Sequence, residues 1–217
     1  DTKKLMLTSS RASEGKSFSS LSLARKLAER GKRIALVDTD LRRSRIVSTY
    51  GVKFPQDSKK YGLSHYLAGI AEQDEVLYKT NVAGIDFVPV GRELLNPLPL
   101  LSSNRFQALL DRLAEAYDYV IVDAAPVGVV IDAAEIAKYC DGILLVVNYN
   151  QVHRQELIDA KAQLENSGCP ILGTILNQVD YDGFTNKKYY YKSHYYSYYK
   201  AYEKGADEKG ADEKKKG

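Results

Sequence analysis

The sequence predicts an α/β protein: a doubly wound, mostly parallel sheet covered by helices, followed by a disordered C-terminal tail. Three observations carry that expectation. Short apolar runs alternate with segments of helical period from Lys4 to Leu176. The strand-like runs are apolar at successive positions, as strands covered on both faces are. Between the first run and the first helical segment lies a polar loop ending in Gly15-Lys16-Ser17, where open α/β sheets keep a ligand-binding turn.

Taken in order, Lys4–Thr8 reads as a strand and Lys16–Arg30 as a helix. Phe18, Leu21, Ala24, Leu27 and Ala28 fall on one face of that helix, and Gly31 closes it. Arg33–Val37 is a second strand, Tyr61–Ala68 is helical and Ile85–Val90 is a strand. Ser102–Tyr117 is a helix that turns Phe106, Leu109, Leu110 and Leu113 inward. Tyr119–Val122 and Ile143–Val147 are strands separated by a helix over Asp132–Lys138; the helix Gln151–Asn166 and the strand Ile171–Leu176 complete the body. A globular domain is expected over 1–183, a tyrosine-cluster tail over 184–202 and a charged tail over 203–217, where GADEK occurs twice in succession. That repeat has no apolar side chain larger than alanine and cannot build a core.

Composition narrows the function classes. Hydrophobic residues are 44% and charged residues 27% of the 217 residues, which suits a packed domain and excludes wholesale disorder. No apolar run approaches the ~18–20 residues that span a bilayer. Lys3 and Lys4 precede only a short strand, so no secretory signal is expected; a chain starting at Asp1 rather than Met is expected to be cropped. Cys140 and Cys169 make no disulfide framework, suit a reducing cytoplasm and are expected to be packing residues. His65, His153 and His194 show no metal spacing. The formal charge of +3 is misleading, because residues 185–202 carry four lysines and no acid, and 203–217 balance. The body therefore sums to −1 and lacks the basic footprint of a nucleic-acid binder.

The chemistry is concentrated at three strand ends. Ser9-Ser10-Arg11-Ala12-Ser13-Glu14-Gly15-Lys16-Ser17 lies between strand and helix, as a phosphate-binding loop does, with Ser10 where GxxxxGK[ST] starts with glycine. In such a loop backbone N–H groups cradle phosphate oxygens, Lys16 bridges the terminal phosphates and Ser17 ligates Mg²⁺. Val37-Asp38-Thr39-Asp40-Leu41-Arg42 closes the second strand, and Val120-Ile121-Val122-Asp123-Ala124-Ala125-Pro126 closes another. Carboxylates at these ends can hold Mg²⁺ or accept a proton from an attacking hydroxyl, although any single aspartate there could equally be a cap. Arg42, Arg43 and Arg45 read as a solvated turn or as a contact for a phosphate or an acidic partner. Eight of the 17 tyrosines (Tyr189, Tyr190, Tyr191, Tyr195, Tyr196, Tyr198, Tyr199 and Tyr202) fall within 14 residues. They read as a phosphoacceptor array, a membrane-interface or aggregation-prone segment, or a base-stacking strip.

Together, SSRASEGKS, LVDTDLR, VIVDAAP and the terminal tyrosine cluster resemble the bacterial tyrosine kinases (BY-kinases) of capsule and exopolysaccharide assembly. Gly128–Ala134 and Leu172–Asn177 are also similar, so the resemblance covers about residues 3–182 plus the tail. It implies a P-loop NTPase of the ParA/MinD-like branch, using ATP and Mg²⁺ to autophosphorylate its own tyrosines in trans within an oligomer. By position, Lys16 and Ser17 match the Walker A pair, Asp38 and Asp40 the Walker A′ carboxylates and Asp123 the Walker B carboxylate. The resemblance thus implies catalytic roles for Lys16, Asp38 and Asp40, with Asp38 nearest the attacking phenol or exchanging that role with Asp40. It implies nucleotide contacts from Ser13, Glu14, Gly15, Lys16, Ser17, Phe18 and Asn177, and a metal shell of Ser17, Asp40 and Asp123. Two departures from the family pattern are Ser13 for a common glycine and Ala124-Ala125 for Thr-Pro. The implied partners are a transmembrane adaptor, a ring-like homo-oligomer when unphosphorylated, a cognate tyrosine phosphatase and exogenous polysaccharide-pathway proteins, with no nucleic acid. The implied location is the cytoplasmic face of the membrane, reached through the adaptor. The alternative is a ParA/MinD-like positional switch on membrane or DNA, kept open by Arg11, which stands where those switches carry a signature lysine.

Overall fold

The computed structural model describes residues 2–49, 54, 59–149 and 151–179, all within one compact unit, Asp1–Val179. The tail assignments, including all eight candidate phosphoacceptor tyrosines, lie outside the described residues.

The strands are β1 (Lys4–Ser9), β2 (Ile34–Asp38), β3 (Tyr78–Lys79), β4 (Ile85–Val88), β5 (Tyr119–Asp123), β6 (Gly142–Asn148) and β7 (Ile171–Asn177). They form one sheet in the order β3-β4-β2-β5-β1-β6-β7. Every pairing is parallel except that of the two-residue β3 with β4. The helices are α1 (Lys16–Ala28), α2 (Ile46–Thr49), α3 (Leu63–Leu67), α4 (Gln73–Val76), α5 (Leu98–Leu101), α6 (Asn104–Ala116), α7 (Asp132–Ala137) and α8 (Arg154–Glu165). The doubly wound, mostly parallel expectation therefore holds. The short α2, α4 and α5 and the strand β3 were not foreseen, because a single helical turn or a two-residue strand offers no repeated spacing to detect.

The pleat sorts each strand's apolar side chains between two cores. Ala35, Val37, Val120 and Val122 pack with Phe106, Leu109, Leu110 and Leu113 of α6 and with residues of α7 and α8. Ile34, Leu36, Ile121 and Val146 pack on the other face, where Ala24 of α1 is buried. The four inward residues expected of α6 are all fully buried, and Ser103 caps that helix by accepting the Phe106 N–H.

Two expectations fail. Phe18 does not join the buried face of α1 but is 42% exposed, because it lies in the first turn, where the helix starts beside the strand ends. Strand β7 is not covered on both faces: as the sheet's edge it leaves Leu172 and Leu176 about half exposed.

Topology gathers the chemistry. The chain leaves β1 to build β2, β4 and β5 on one side and β6 and β7 on the other, so the crevice opens at the C-terminal end of β1. Parallel register sets Asp38 of β2 directly beside Asp123 of β5, and Leu7 of β1 beside the same Asp123.

Candidate active site

The loop between β1 and α1 is shaped by two left-handed residues, Ser13 at φ 68° and Gly15 at φ 85°. Ser13 thus occupies a conformation that disfavours a Cβ, which is the physical reason glycine suits this position. At Gly15 a Cβ would stand 2.0 Å from Asn177 Nδ2, so only glycine lets β7 approach the loop so closely. The Asn177 amide donates to the Glu14 carbonyl at 3.0 Å. Glu14 itself turns inward, 3% exposed. Its carboxylate accepts the Ser10 hydroxyl at 2.8 Å, the Arg11 N–H at 2.6 Å and the Asn148 N–H at 3.0 Å. The Glu14 side chain therefore braces the loop, and what it leaves for a nucleotide is its backbone. From the other side, the β5–α7 loop presses on Ser10, whose carbonyl is 2.2 Å from where a Gly128 Cβ would stand.

Lys16 reaches over this loop to the strand ends. Its Nζ is 3.4 Å from both Asp40 Oδ2 and Asp123 Oδ2. Burial opposes its charge, but Asp123, Asp40 and Asp38 together hold its pKa above the usual lysine value. Asp123 is fully buried, and its carboxylate accepts the Ser17 hydroxyl at 2.6 Å and the Ser20 hydroxyl at 2.9 Å. Burial raises its carboxyl above the ordinary range, with Asp40 adding to the rise and Lys16, Ser17 and Ser20 opposing it. Asp38 is also fully buried; burial first and the Asp123 charge second push it up to about 8. It accepts the Asp40 N–H at 3.2 Å and the Ser44 hydroxyl at 2.5 Å. Asp40 fixes the turn by accepting the Arg43 N–H at 3.1 Å. One ammonium thus faces three carboxylates, an excess of negative charge that a divalent cation would relieve.

Sequence reasoning missed two of these hydroxyls. Ser20 follows Lys16 by one helical turn, a spacing that could have revealed it. Ser44 sits in an irregular loop, and no local pattern marks it.

Arg42 resolves its two open readings within the chain. Its guanidinium grips Asp132 at 2.6 and 3.1 Å and donates to the Leu95 carbonyl at 2.7 Å, joining the loops after β2 and β4 to the first residue of α7. Arg43 and Arg45 are exposed. Arg11 donates to the Gln151 carbonyl at 3.2 Å and lies 3.7 Å from Glu156, so it is engaged by its own chain. Burial pushes the Cys140 and Cys169 thiols up, which suits packing residues. No helix among the described residues is long and apolar enough to cross a membrane.

The donor set fits a Mg–nucleotide: a loop of backbone N–H groups, one lysine, and the Ser17 hydroxyl 2.6 Å from Asp123. Among the described residues no group of three carboxylate, imidazole or thiol side chains makes a metal cage, and Mg²⁺ does not need one beside phosphate oxygens.

Known proteins resemble this chain over most of its described length. Residues 2–165 match the AAA domain family. The chain is 39% identical over 180 residues to tyrosine-protein kinase CpsD of Streptococcus agalactiae serotype III, covering 83% of this chain and 76% of that one. The kinase domain of the Escherichia coli tyrosine kinase ETK superposes with a TM-score of 0.77 at 31% identity, covering 89% and 72%. The chimerical protein CapA2B2 gives a TM-score of 0.75 at 28% identity, covering 82% and 77%. The septum site-determining protein MinD of Pyrococcus horikoshii, complexed with Mg-ADP, gives 0.67 at 22% identity, covering 81% and 70%, and shares the fold. These relationships place the chain in the bacterial tyrosine-protein kinase family, as a P-loop enzyme.

Proposed function

We propose that this kinase, with Mg²⁺, transfers the γ-phosphoryl group of ATP to the tyrosine cluster of its own C-terminal tail. The convergence of Lys16, Ser17, Asp38, Asp40 and Asp123 on one sheet edge carries the reading. Ser17, Asp40 and Asp123 would hold the cation, which when bound neutralises charge on the phosphate oxygens. The loop N–H groups of Ser13–Ser17 bind the phosphates, and Asn177 and Phe18 contact the rest of the nucleotide. Lys16 exchanges its contacts with Asp40 and Asp123 for the transferring phosphoryl group. Asp38 takes the phenol proton as the new O–P bond forms and the bond to the ADP oxygen breaks.

Transfer runs between chains of a ring-like homo-oligomer that is stable while unphosphorylated. Fully extended, the seven residues from Asp182 to Tyr189 reach about 25 Å and the twenty to Tyr202 about 70 Å, lengths that permit either its own site or a neighbour's. The chain works at the cytoplasmic face of the membrane through a transmembrane adaptor, a reading supported by its similarity to the CapA2B2 chimera. A cognate phosphatase resets it, and the cycle regulates capsular or exopolysaccharide synthesis and export. The test is incubation with ATP and Mg²⁺ followed by peptide mass spectrometry. Phosphate on Tyr189–Tyr202 supports the reading, and unchanged transfer in EDTA removes it.

A further inference from the structure

We propose that Ser44 is a positioning residue that reserves Asp38 for the acceptor phenol by holding its carboxylate away from Lys16. The inference rests on the proposed role of Asp38. Each of the three carboxylates around Lys16 is held differently. Asp123 is fixed by the Ser17 and Ser20 hydroxyls at 2.6 and 2.9 Å, and lies 3.4 Å from the ammonium. Asp40 lies at the same distance from Lys16 and takes a backbone N–H from Arg43. Asp38 makes no ion pair with Lys16 although the ammonium's charge reaches it. Its Oδ1 accepts the Asp40 N–H at 3.2 Å, a long bond, and its Oδ2 accepts the Ser44 hydroxyl at 2.5 Å, a short one. The Ser44 hydroxyl is the only side-chain donor on this carboxylate among the described residues.

Without that hydroxyl, Oδ2 would stay buried with no hydrogen-bond donor, beside an ammonium and two other carboxylates. Rotation about χ1 towards Lys16 would satisfy it. That collapse would remove the proton acceptor from the phenol side, whereas Lys16 already has its two carboxylate partners in Asp40 and Asp123. Ser44 is partly exposed while Asp38 is fully buried, so the hydroxyl reaches inward from the surface loop to the carboxylate. Its place on the chain supports the assignment. Arg43 is anchored on Asp40 through its N–H, and the next residue delivers the hydroxyl to Asp38, so one short turn sets both A′ carboxylates.

The experiment compares Ser44→Ala, Ser44→Thr, Asp38→Asn and the double variant Asp38→Asn/Ser44→Ala, reading kcat, KM for ATP, affinity for Mg-ADP and Tm. Loss of this short hydrogen bond, and of the orientation it gives Asp38, is expected to lower kcat roughly 10- to 50-fold in Ser44→Ala. KM for ATP, Mg-ADP affinity and Tm should move little, because the phosphate loop is untouched. Ser44→Thr keeps the hydroxyl and should recover to within about threefold of the parent. In the Asp38→Asn background, Ser44→Ala should add nothing further, which a merely structural role would not produce. Unchanged kcat in Ser44→Ala beside an inactive Asp38→Asn overturns the inference and leaves the role of Asp38 standing. Full activity in Asp38→Asn overturns that role, and the inference with it.

Discussion

The nucleotide-free site should lose stability as pH rises, and Asp38→Asn should restore it. Three carboxylates crowd one ammonium, and Asp38, buried and beside Asp123, is pushed from 3.8 up to about 8. A carboxyl raised in the folded state favours folding while protonated. Its contribution is complete below pH 3.8 and is lost as pH climbs through the folded value near 8. At about 1.36 kcal/mol per unit, the loss between pH 5 and 8 is at most about 4 kcal/mol. Because Asp123 shares the same field, we halve it to about 2 kcal/mol, or roughly 4–8 °C in Tm for a domain of this size. Calorimetry in EDTA between pH 5 and 8 reads the slope. Asp38→Asn should flatten it and raise Tm at pH 8, while abolishing transfer. A Tm that is flat or rises over this range in the parent, or an Asp38→Asn variant no more stable than the parent at pH 8, would refute the reasoning.

Lys16→Met should lower tail phosphorylation by on the order of 10²-fold or more; it should also lower Tm, since the variant leaves Asp40 and Asp123 without their shared cation. Gly15→Ala puts a Cβ against Asn177 Nδ2 at φ +85°, and should weaken Mg-ADP at least ~10-fold in a fluorescent-nucleotide titration, through strain and a displaced brace. Ser13→Gly relieves a left-handed residue at φ 68° and should raise Tm by about 2–4 °C, equivalent to about 1 kcal/mol. A Lys16→Met chain that keeps its tyrosines should acquire phosphate from an active chain truncated before Tyr189, as read by mass spectrometry. Eight phosphotyrosines add roughly −12 to −16 charges, so light scattering should record a fall in assembly mass after ATP.

Much of this protein is written locally. The alternation of apolar runs with helical periods sufficed for the sheet and its main helices, because burial of one face leaves a period that a linear reading can detect. The same holds for the face of α6, and for the placement of Lys16, Asp38, Asp40 and Asp123 at the ends of strands or the start of a helix. Contacts across the chain were decided elsewhere. The register that sets Asp38 beside Asp123 joins segments as far apart as Thr39 and Asp123, 84 residues distant. No periodicity announces that Arg42 will grip Asp132, or that Ser44 will reach Asp38 from an irregular turn. Local pattern also misjudged Phe18 and β7. A side chain's hydrophobicity records what it would gain by burial, and only the sheet order decides whether a neighbour is there to bury it.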